Sequence, residues 1–281
     1  MNSIGKTISE MFGLPPDWHV SMAPQGTEEW LSARRGCITG SMAKVAKDKL
    51  KSGEPSKAAI TYLRDTGRAR AGAGDGEAVY ENAAMRFGTE QEPFARRAYE
   101  ARTGYMVDAA GFVCTPDRKF GVSVDGLVLD EPGQRGGVEI KTIVSSNVLF
   151  DAVLGGDYSA YIDQCDMNTW AWVLDWIDLC LWAPDLPTPE ARLTVIRIHR
   201  DQDRIDALLA DLVVADRQAD AYAAQLRAFV ARSKAAGPAA SDAPPWDGAG
   251  SATVAPPVEP AAAPAPAPAT RASVELEDAA F

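Results

Sequence analysis

The chain of 281 residues, 46% of them hydrophobic, is long enough for one large domain or two small ones with an apolar core. It has no run of eighteen apolar residues and no basic-then-apolar N-terminal leader, so we expect no membrane span, no secretion signal and a cytoplasmic location. The four cysteines form no C-x-x-C motif, which disfavours zinc, iron–sulfur and disulfide frameworks.

The net charge of −11 argues against a nucleic-acid partner, because phosphate binding normally needs clustered Lys and Arg. The charge is unevenly distributed, however. Residues 1–119 carry 17 basic and 15 acidic side chains, whereas residues 120–234 carry 10 and 18. Eight of the basic side chains fall within residues 44–70. This stretch predicts either a phosphate-facing surface or a solvated helix face.

The predicted elements alternate between helical and strand periodicity. In chain order we expect a helix, a turn and a second helix over 27–45, a glycine-rich loop over 67–76, a helix over 81–102, strands over 111–114, 120–129 and 138–144, a helix over 158–176, strands over 177–182 and 193–199, and a helix over 201–234. This order predicts an α/β fold in which a mixed central β-sheet is flanked by helices.

The composition changes sharply near residue 235. Nine prolines fall within residues 238–268, interleaved with alanine, and such a segment buries too little apolar area to offset its ordering entropy. We therefore expect a folded domain over residues 1–234, an Ala/Pro-rich disordered linker over 235–272 and an acidic C-terminal peptide over 273–281.

Two predicted strands carry charged side chains in an apolar context. In the motif G-V-S-V-D at residues 121–125, strand alternation places Ser123 and Asp125 on one face. In V-E-I-K at residues 138–141, it places Glu139 and Lys141 on one face. Turn-forming residues connect the motifs, and a hairpin pivoting at residues 132–133 sets Asp125 opposite the Glu139–Lys141 pair.

Such a cluster favours metal-dependent phosphodiester hydrolysis. Carboxylates are ligands that Mg²⁺ and Mn²⁺ prefer, and a lysine beside the metal can orient or help deprotonate an attacking water. The alternative is that Asp125 starts a turn while Glu139 and Lys141 lie on a solvated strand face. The apolar neighbours favour the functional interpretation, because unpaired charge near a core is costly.

The D…E-x-K arrangement resembles the restriction-endonuclease-like nuclease superfamily, and the chain resembles the phage lambda exonuclease and YqaJ viral recombinase family. The resemblance runs from about residue 25 to about residue 199. It rests on blocks at residues 30–41, 88–95, 123–127, 139–141, 154–156 and 161–164, the last leading to Trp170. It implies a restriction-endonuclease-like core. Asp166 stands where the family often has a second Gln, which would alter the charge near the site.

The resemblance also implies residue roles. Asp125 and Glu139 would bind the metal together with the main-chain carbonyl of Ile140, and Lys141 would act on the nucleophilic water. Tyr161 and Gln164, three residues apart on a predicted helix, would lie at the active site. The alternative for Tyr161 is packing.

Glu92 matches a family acid that reaches the metal site from the preceding helix, and Glu90 is the bystander. The alternative for Glu92 is a capping box with Thr89, with Pro93 in the first turn of the helix.

Arg34 and Ser41 match positions that hold the terminal 5′-phosphate in such enzymes, and a guanidinium suits bidentate phosphate contact. Thr39 and Ser123, in the same blocks, are further candidates for DNA binding.

The resemblance therefore implies an alkaline-type, Mg²⁺-dependent DNA exonuclease, with Mn²⁺ as a substitute. It would degrade linear double-stranded DNA from 5′ ends, release 5′-mononucleotides and leave 3′ single strands for a single-strand annealing protein. It would act as a homotrimeric ring in the bacterial cytosol, encoded by a phage or prophage. The alternatives are another nuclease of the superfamily, such as an endonuclease, and a catalytically silent DNA-binding scaffold.

The last nine residues suggest a second partner. Glu275, Glu277 and Asp278, followed by the terminal Phe281, resemble the acidic, Phe-ended tails of single-strand-binding proteins. Such a tail would dock into a basic apolar pocket on a protein partner. A solubilising disordered end is the alternative.

Overall fold

The computed structural model describes residues 10–73, 83–129 and 133–235. In chain order its elements are β1 (His19–Ser21), α1 (Glu28–Arg34), β2 (Ile38–Thr39), a 3-10 turn (Gly40–Met42), α2 (Ala43–Ala46), α3 (Lys57–Arg70), α4 (Ala83–Thr103), β3 (Phe112–Cys114), β4 (Phe120–Ser123), β5 (Gly126–Leu129), β6 (Arg135–Thr142), α5 (Ser146–Val148) continuing as a π-helix (Leu149–Leu154), α6 (Ile162–Ala171), β7 (Trp176–Trp182), a second 3-10 turn (Pro189–Ala191), β8 (Leu193–His199) and α7 (Gln202–Ala235).

The strands form two four-stranded mixed sheets, in the orders β1-β3-β4-β2 and β5-β6-β7-β8. In the second sheet β6 and β7 are parallel and the other pairs antiparallel. The predicted α/β class is confirmed, but the single strand expected over 120–129 is wrong. The chain changes sheets between Ser123 and Gly126, where a Cβ on Gly126 would lie 2.1 Å from Val107 Cγ1. Asp125 therefore lies at the junction of the two sheets.

Strand β7 is the centre of the second sheet, and all seven of its residues are buried. Ile177, Leu179 and Leu181 belong to a core cluster that α7 also joins through Leu208 and Leu212. Trp176, Cys180 and Trp182 belong to a second cluster with Ala95 and Tyr99 of α4. Alternate residues of one strand thus reach two cores, which is expected when both faces of a sheet are covered.

Helix α4 contains Thr89 and Glu92, for which a capping box at the start of a helix was one of the two interpretations of the sequence. Thr89 lies inside this helix, with its hydroxyl donating to the Met85 carbonyl at 3.2 Å, and Pro93 is also within the helix. The capping-box interpretation of Glu92 is therefore wrong. The helix boundaries agree with the predicted 81–102 to within two residues.

Three other predictions need correction. The 27–45 segment contains β2 and a 3-10 turn between its helices. The helix expected over 158–176 spans only Ile162–Ala171, because the backbone turns at Val173, where φ is +54°. Gly67, expected in a loop, lies in α3, where it packs against α7.

No helix in the described parts of the chain is both long and apolar enough to cross a membrane. Helix α7 ends at Ala235, one residue beyond the expected end of the folded domain. The expected linker after Ala235 and the acidic peptide 273–281 lie outside the described residues.

Candidate active site

The hairpin of β5 and β6 brings the two predicted motifs together. Gly126 pairs with Val138, so the hairpin has the register that the sequence predicted. The Asp125 N–H donates to the Val138 carbonyl at 3.1 Å, and the Ile140 N–H donates to Asp125 Oδ2 at 2.7 Å. The Asp125 carboxylate thus accepts a main-chain hydrogen bond of the kind that a neighbouring strand accepts in a sheet. It faces the segment that carries Glu139 and Lys141.

Three donors hold the carboxylate of Glu139, which is 2% exposed. Lys141 Nζ lies 2.9 Å from Oε1, and Gln164 Nε2 donates to the same oxygen. Asn168 Nδ2 donates to Oε2 at 2.7 Å. Gln164 and Asn168 are four residues apart on α6 and so share one face of that helix. The position of Glu139 is therefore fixed by its own strand and by α6.

Asp125 and Lys141 have shifted proton affinities in this cluster. Burial raises the pKa of Asp125 well above its usual value, and the negative charges of Glu139 and Glu92 add to the effect. Burial lowers the pKa of Lys141, but the carboxylates of Glu139 and Asp125 outweigh it, so the pKa lies above its ordinary value. Lys141 is therefore a cation in this arrangement, and it is suited to donating hydrogen bonds.

These groups fit a hard divalent cation. Within the described ranges, no three His, Cys, Asp or Glu side chains are grouped so that they could hold a metal ion by themselves. Magnesium, however, is commonly bound through one or two carboxylates, with water and substrate phosphate completing its shell. Burial is the main cause of the raised pKa of Asp125, and a bound cation would neutralise the charges of Glu139 and Glu92 that add to it.

Glu92 reaches this neighbourhood from α4. It forms an ion pair of 3.6 Å with Arg96, which also donates to the main-chain carbonyl of Asp125. Burial raises the pKa of Glu92, with Arg96 opposing the shift and Glu139 adding to it. Glu90 is exposed, which favours Glu92 over Glu90 as the acid near the site.

A second group of predicted residues surrounds Trp30, which the sequence did not single out for a role. The Arg34 guanidinium lies over the Trp30 ring, 4.0 Å from its centroid. The Trp30 indole N–H donates to Ser123 Oγ at 3.3 Å, two residues before Asp125. Burial lowers the pKa of Arg34, and no described carboxylate forms an ion pair with it. Trp30 thus connects Arg34 to the strand that leads to Asp125.

Thr39 is the last residue of β2 and Ser41 lies in the 3-10 turn that follows, with their hydroxyl oxygens 3.4 Å apart. The Thr39 N–H donates to the Tyr62 hydroxyl at 3.1 Å, which anchors the turn to α3. Tyr161 precedes α6 and is partly buried. Burial raises the pKa of its phenol, and the charge of Lys141 opposes the shift, so Tyr161 lies within electrostatic reach of Lys141.

Asp166 does not contribute charge to the site as expected from the sequence. It is 1% exposed and lies on the face of α6 that meets α7. Arg204 Nε and Nη2 contact its two carboxylate oxygens at 2.6 and 2.8 Å. The bidentate pair joins two helices and compensates the buried charge.

The predicted basic surface over residues 44–70 is partly neutralised. Lys47 pairs with Asp163 at 2.8 Å, and Lys49 pairs with Asp211 at 2.9 Å. Arg70 Nη1 lies 2.7 Å from Asp216 and is largely buried. These three cations stabilise the fold and are not free phosphate contacts.

The fold is that of a restriction-endonuclease-like nuclease. Residues 29–171 match the model of the YqaJ-like viral recombinase domain, which covers about half of the sequence. The chain belongs to this family.

Solved structures agree with this assignment. An alkaline exonuclease from Laribacter hongkongensis, LHK-Exo, is 28% identical with a TM-score of 0.62, over 73% of this chain and 99% of the other. Its complex with dAMP is 30% identical with a TM-score of 0.58, over 75% and 99%. These relatives imply that the chain is a nuclease.

A phage-related exonuclease from Haemophilus somnus 129PT is 16% identical with a TM-score of 0.53, over 69% and 96%, and this likeness supports the fold alone. No match was found among curated proteins.

Proposed function

We propose that the protein is a Mg²⁺-dependent exonuclease that degrades linear double-stranded DNA from 5′ ends and releases 5′-mononucleotides. The observation that carries the proposal is the convergence of Asp125, Glu139 and Lys141 at the end of one hairpin. The LHK-Exo complex contains dAMP, a mononucleotide, which supports mononucleotide products. The remaining 3′ single strands would serve recombination through a single-strand annealing protein.

Asp125, Glu139 and the main-chain carbonyl of Ile140 would hold the metal. When bound, Mg²⁺ lowers the pKa of a water ligand and neutralises charge on the scissile phosphate, and Mn²⁺ can do the same. Lys141, held as a cation by its acidic neighbours, would orient the attacking oxygen and stabilise charge on the phosphate. Glu92 would add a third carboxylate on the α4 side.

Gln164 would act from α6, and Tyr161 from the residue that precedes this helix. Gln164 donates to the same Glu139 oxygen as Lys141, so it restricts how that carboxylate can turn. Tyr161 would place its hydroxyl near Lys141 and the scissile phosphate, which its electrostatic interaction with Lys141 supports.

Arg34 would bind the terminal 5′-phosphate, assisted by Ser41, Thr39 and Ser123. Its guanidinium is stacked and has no carboxylate partner among the described residues, so its donors are available to an anion. Trp30 contacts both Arg34 and Ser123, which lies two residues before Asp125. A terminal phosphate held by Arg34 would therefore set which phosphodiester bond reaches Asp125. This would make the enzyme act from phosphorylated ends.

We further propose a homotrimeric ring enclosing DNA, acting in the cytosol of a bacterial host as a phage or prophage protein. A ring needs positive charge only where the DNA passes, which reconciles an acidic chain with a polyanionic substrate. Two predictions from the sequence remain. One is the division of the chain after residues 234 and 272, and the other is docking of the 273–281 peptide onto a recombination partner. Light scattering tests the trimer, and removal of residues 273–281 tests the docking.

The purified protein should be assayed on linear and circular duplexes with Mg²⁺, with Mn²⁺ and with EDTA. We expect mononucleotide release from linear DNA with either metal, none with EDTA, and loss of activity in Lys141→Ala. Arg34→Gln should remove the preference for 5′-phosphate over 5′-hydroxyl ends. Nicking of circular DNA would favour the endonuclease alternative. Binding without cleavage under every metal condition would favour the silent scaffold.

A further inference from the structure

A fully buried amide contacts the proposed metal site and has had no role so far. Asn168, on α6, is 0% exposed. Its Nδ2 donates to Glu139 Oε2 at 2.7 Å, and its Oδ1 has no hydrogen-bond partner among the described residues. The orientation of the amide is fixed by chemistry, because an ionised carboxylate only accepts hydrogen bonds and must therefore face the NH₂ group.

Asn168 is enclosed by two other elements. A Cβ on Gly40, in the turn after β2, would lie 3.4 Å from Asn168 Oδ1 and 3.1 Å from Val122 Cγ1. The absence of a side chain at Gly40 therefore lets α6 approach closely enough for the amide to reach Glu139. The enclosure also leaves the amide little freedom to rotate away from the carboxylate.

Packing alone does not account for an amide here. The neighbouring side chains Val122 and Met167 are apolar and buried, and a buried polar atom without a partner costs stability. An apolar side chain of similar volume would avoid that cost. The hydrogen bond to the buried Glu139 carboxylate is the interaction that offsets this cost, which accounts for an amide at this position.

Asn168 is the donor to Oε2 of Glu139, whereas Lys141 and Gln164 both donate to Oε1. Without Asn168, the carboxylate could swing about its contacts on Oε1. Groups that orient a metal ligand in this way typically change metal affinity by about 10- to 100-fold when they are removed.

We propose that Asn168 is a positioning residue of the metal site, which fixes the Glu139 carboxylate and thereby sets the affinity for the divalent cation. The proposal rests on the metal site proposed above. In this proposal Asn168 acts through Glu139 and is not itself a metal ligand.

The test is the Mn²⁺ affinity of the full-length protein without DNA, measured by titration calorimetry. Asn168→Leu keeps the number and branching of the side-chain heavy atoms and removes the donor, and we expect Mn²⁺ binding about 10- to 100-fold weaker. The metal concentration for half-maximal activity should rise by the same factor, while KM for DNA stays unchanged. Asn168→Ala should act in the same direction if the Leu variant does not fold.

Asp166→Asn is the matched control, because Asp166 is equally buried on the other face of α6. It should leave Mn²⁺ affinity within about twofold of wild type while lowering thermal stability, since it weakens the Arg204 pair. In a double-mutant cycle with Glu139→Gln, Asn168→Leu should add no further loss of affinity, because its effect acts through that carboxylate.

Unchanged Mn²⁺ affinity in both Asn168 variants, with wild-type protein that binds Mn²⁺ and digests DNA, overturns this inference and leaves the proposed function standing. An additive effect in the Glu139→Gln background also overturns it. A wild-type protein that neither binds Mn²⁺ nor digests DNA overturns both.

Discussion

Gly67 provides a test of the packing that supports the site. It lies in the interior of α3, and a Cβ there would be 2.7 Å from the Ala219 carbonyl oxygen and 2.8 Å from Tyr222 Cβ on α7. In a helix whose side chains have room, Gly→Ala stabilises by about 1 kcal/mol. Here the methyl group meets backbone, which cannot rotate away. Overpacking costs about 1–3 kcal/mol, and the upper value applies because two helices must separate. The net expectation for Gly67→Ala is a loss of about 2 kcal/mol.

Gly88 offers the matched control. It lies within α4, and a Cβ there would meet nothing within 4 Å. Gly88→Ala should therefore stabilise the protein by about 0.5–1 kcal/mol. The same substitution in two helices is thus expected to have opposite signs, because the added methyl group meets another helix at Gly67 and open space at Gly88.

Urea unfolding and thermal melting measure both variants. At about 2–4 °C per kcal/mol for a domain of this size, the melting temperature should fall by about 4–8 °C for Gly67→Ala and rise by about 1–4 °C for Gly88→Ala. A Gly67→Ala variant as stable as wild type, with an unchanged urea m-value, would refute the described contact between α3 and α7.

Three further outcomes are expected. Asp125→Asn should abolish cleavage but raise the melting temperature in EDTA, because it removes a buried charge that Glu139 and Glu92 repel. A lower melting temperature in EDTA would contradict this. Tyr99→Phe removes a 2.8 Å hydrogen bond to Asp178 and should cost about 1.5–3 kcal/mol in urea unfolding with nuclease activity unchanged. Burial, then the charge of Asp178, raises the pKa of Tyr99, so the phenol's contribution is present below about pH 10 and is lost as pH rises further. Trp30→Phe keeps a ring under the Arg34 guanidinium but loses the hydrogen bond to Ser123. The kcat/KM on 5′-phosphorylated ends should fall about 3- to 10-fold, which corresponds to a hydrogen bond of about 0.5–1.5 kcal/mol. An unchanged kcat/KM would show that Trp30 has no role in positioning these ends.

The hairpin could be predicted because its information is local. Strand alternation fixed the faces of Asp125 and Glu139, and the turn-forming residues between them fixed the pivot, which the pairing of Gly126 with Val138 confirms. Strand β8 and helix α4 were predictable for the same reason, since their periodicities are set within the segment.

The contacts that the sequence did not predict join distant parts of the chain. The Asn168–Glu139 bond spans 29 positions, and the Trp30–Ser123 bond spans 93. A spacing of four residues from Gln164 placed Asn168 on the same helix face, which was an available signal. Nothing local indicated the change of sheet at Asp125 or the role of Gly67, because both depend on which element packs against them.

Net charge does not show which cations are available to the proposed DNA contacts, and the ion pairs explain why. Many cations of the N-terminal half are already used within the fold: Arg70 and Lys119 both contact Asp216 and Asp220 of α7. Arg34 differs because it is stacked on Trp30 and has no carboxylate partner in the described ranges. A phosphate can be recognised only by donors that the protein has not already satisfied. The proposed DNA contacts therefore depend on the distribution of unpaired cations and not on the net charge of −11.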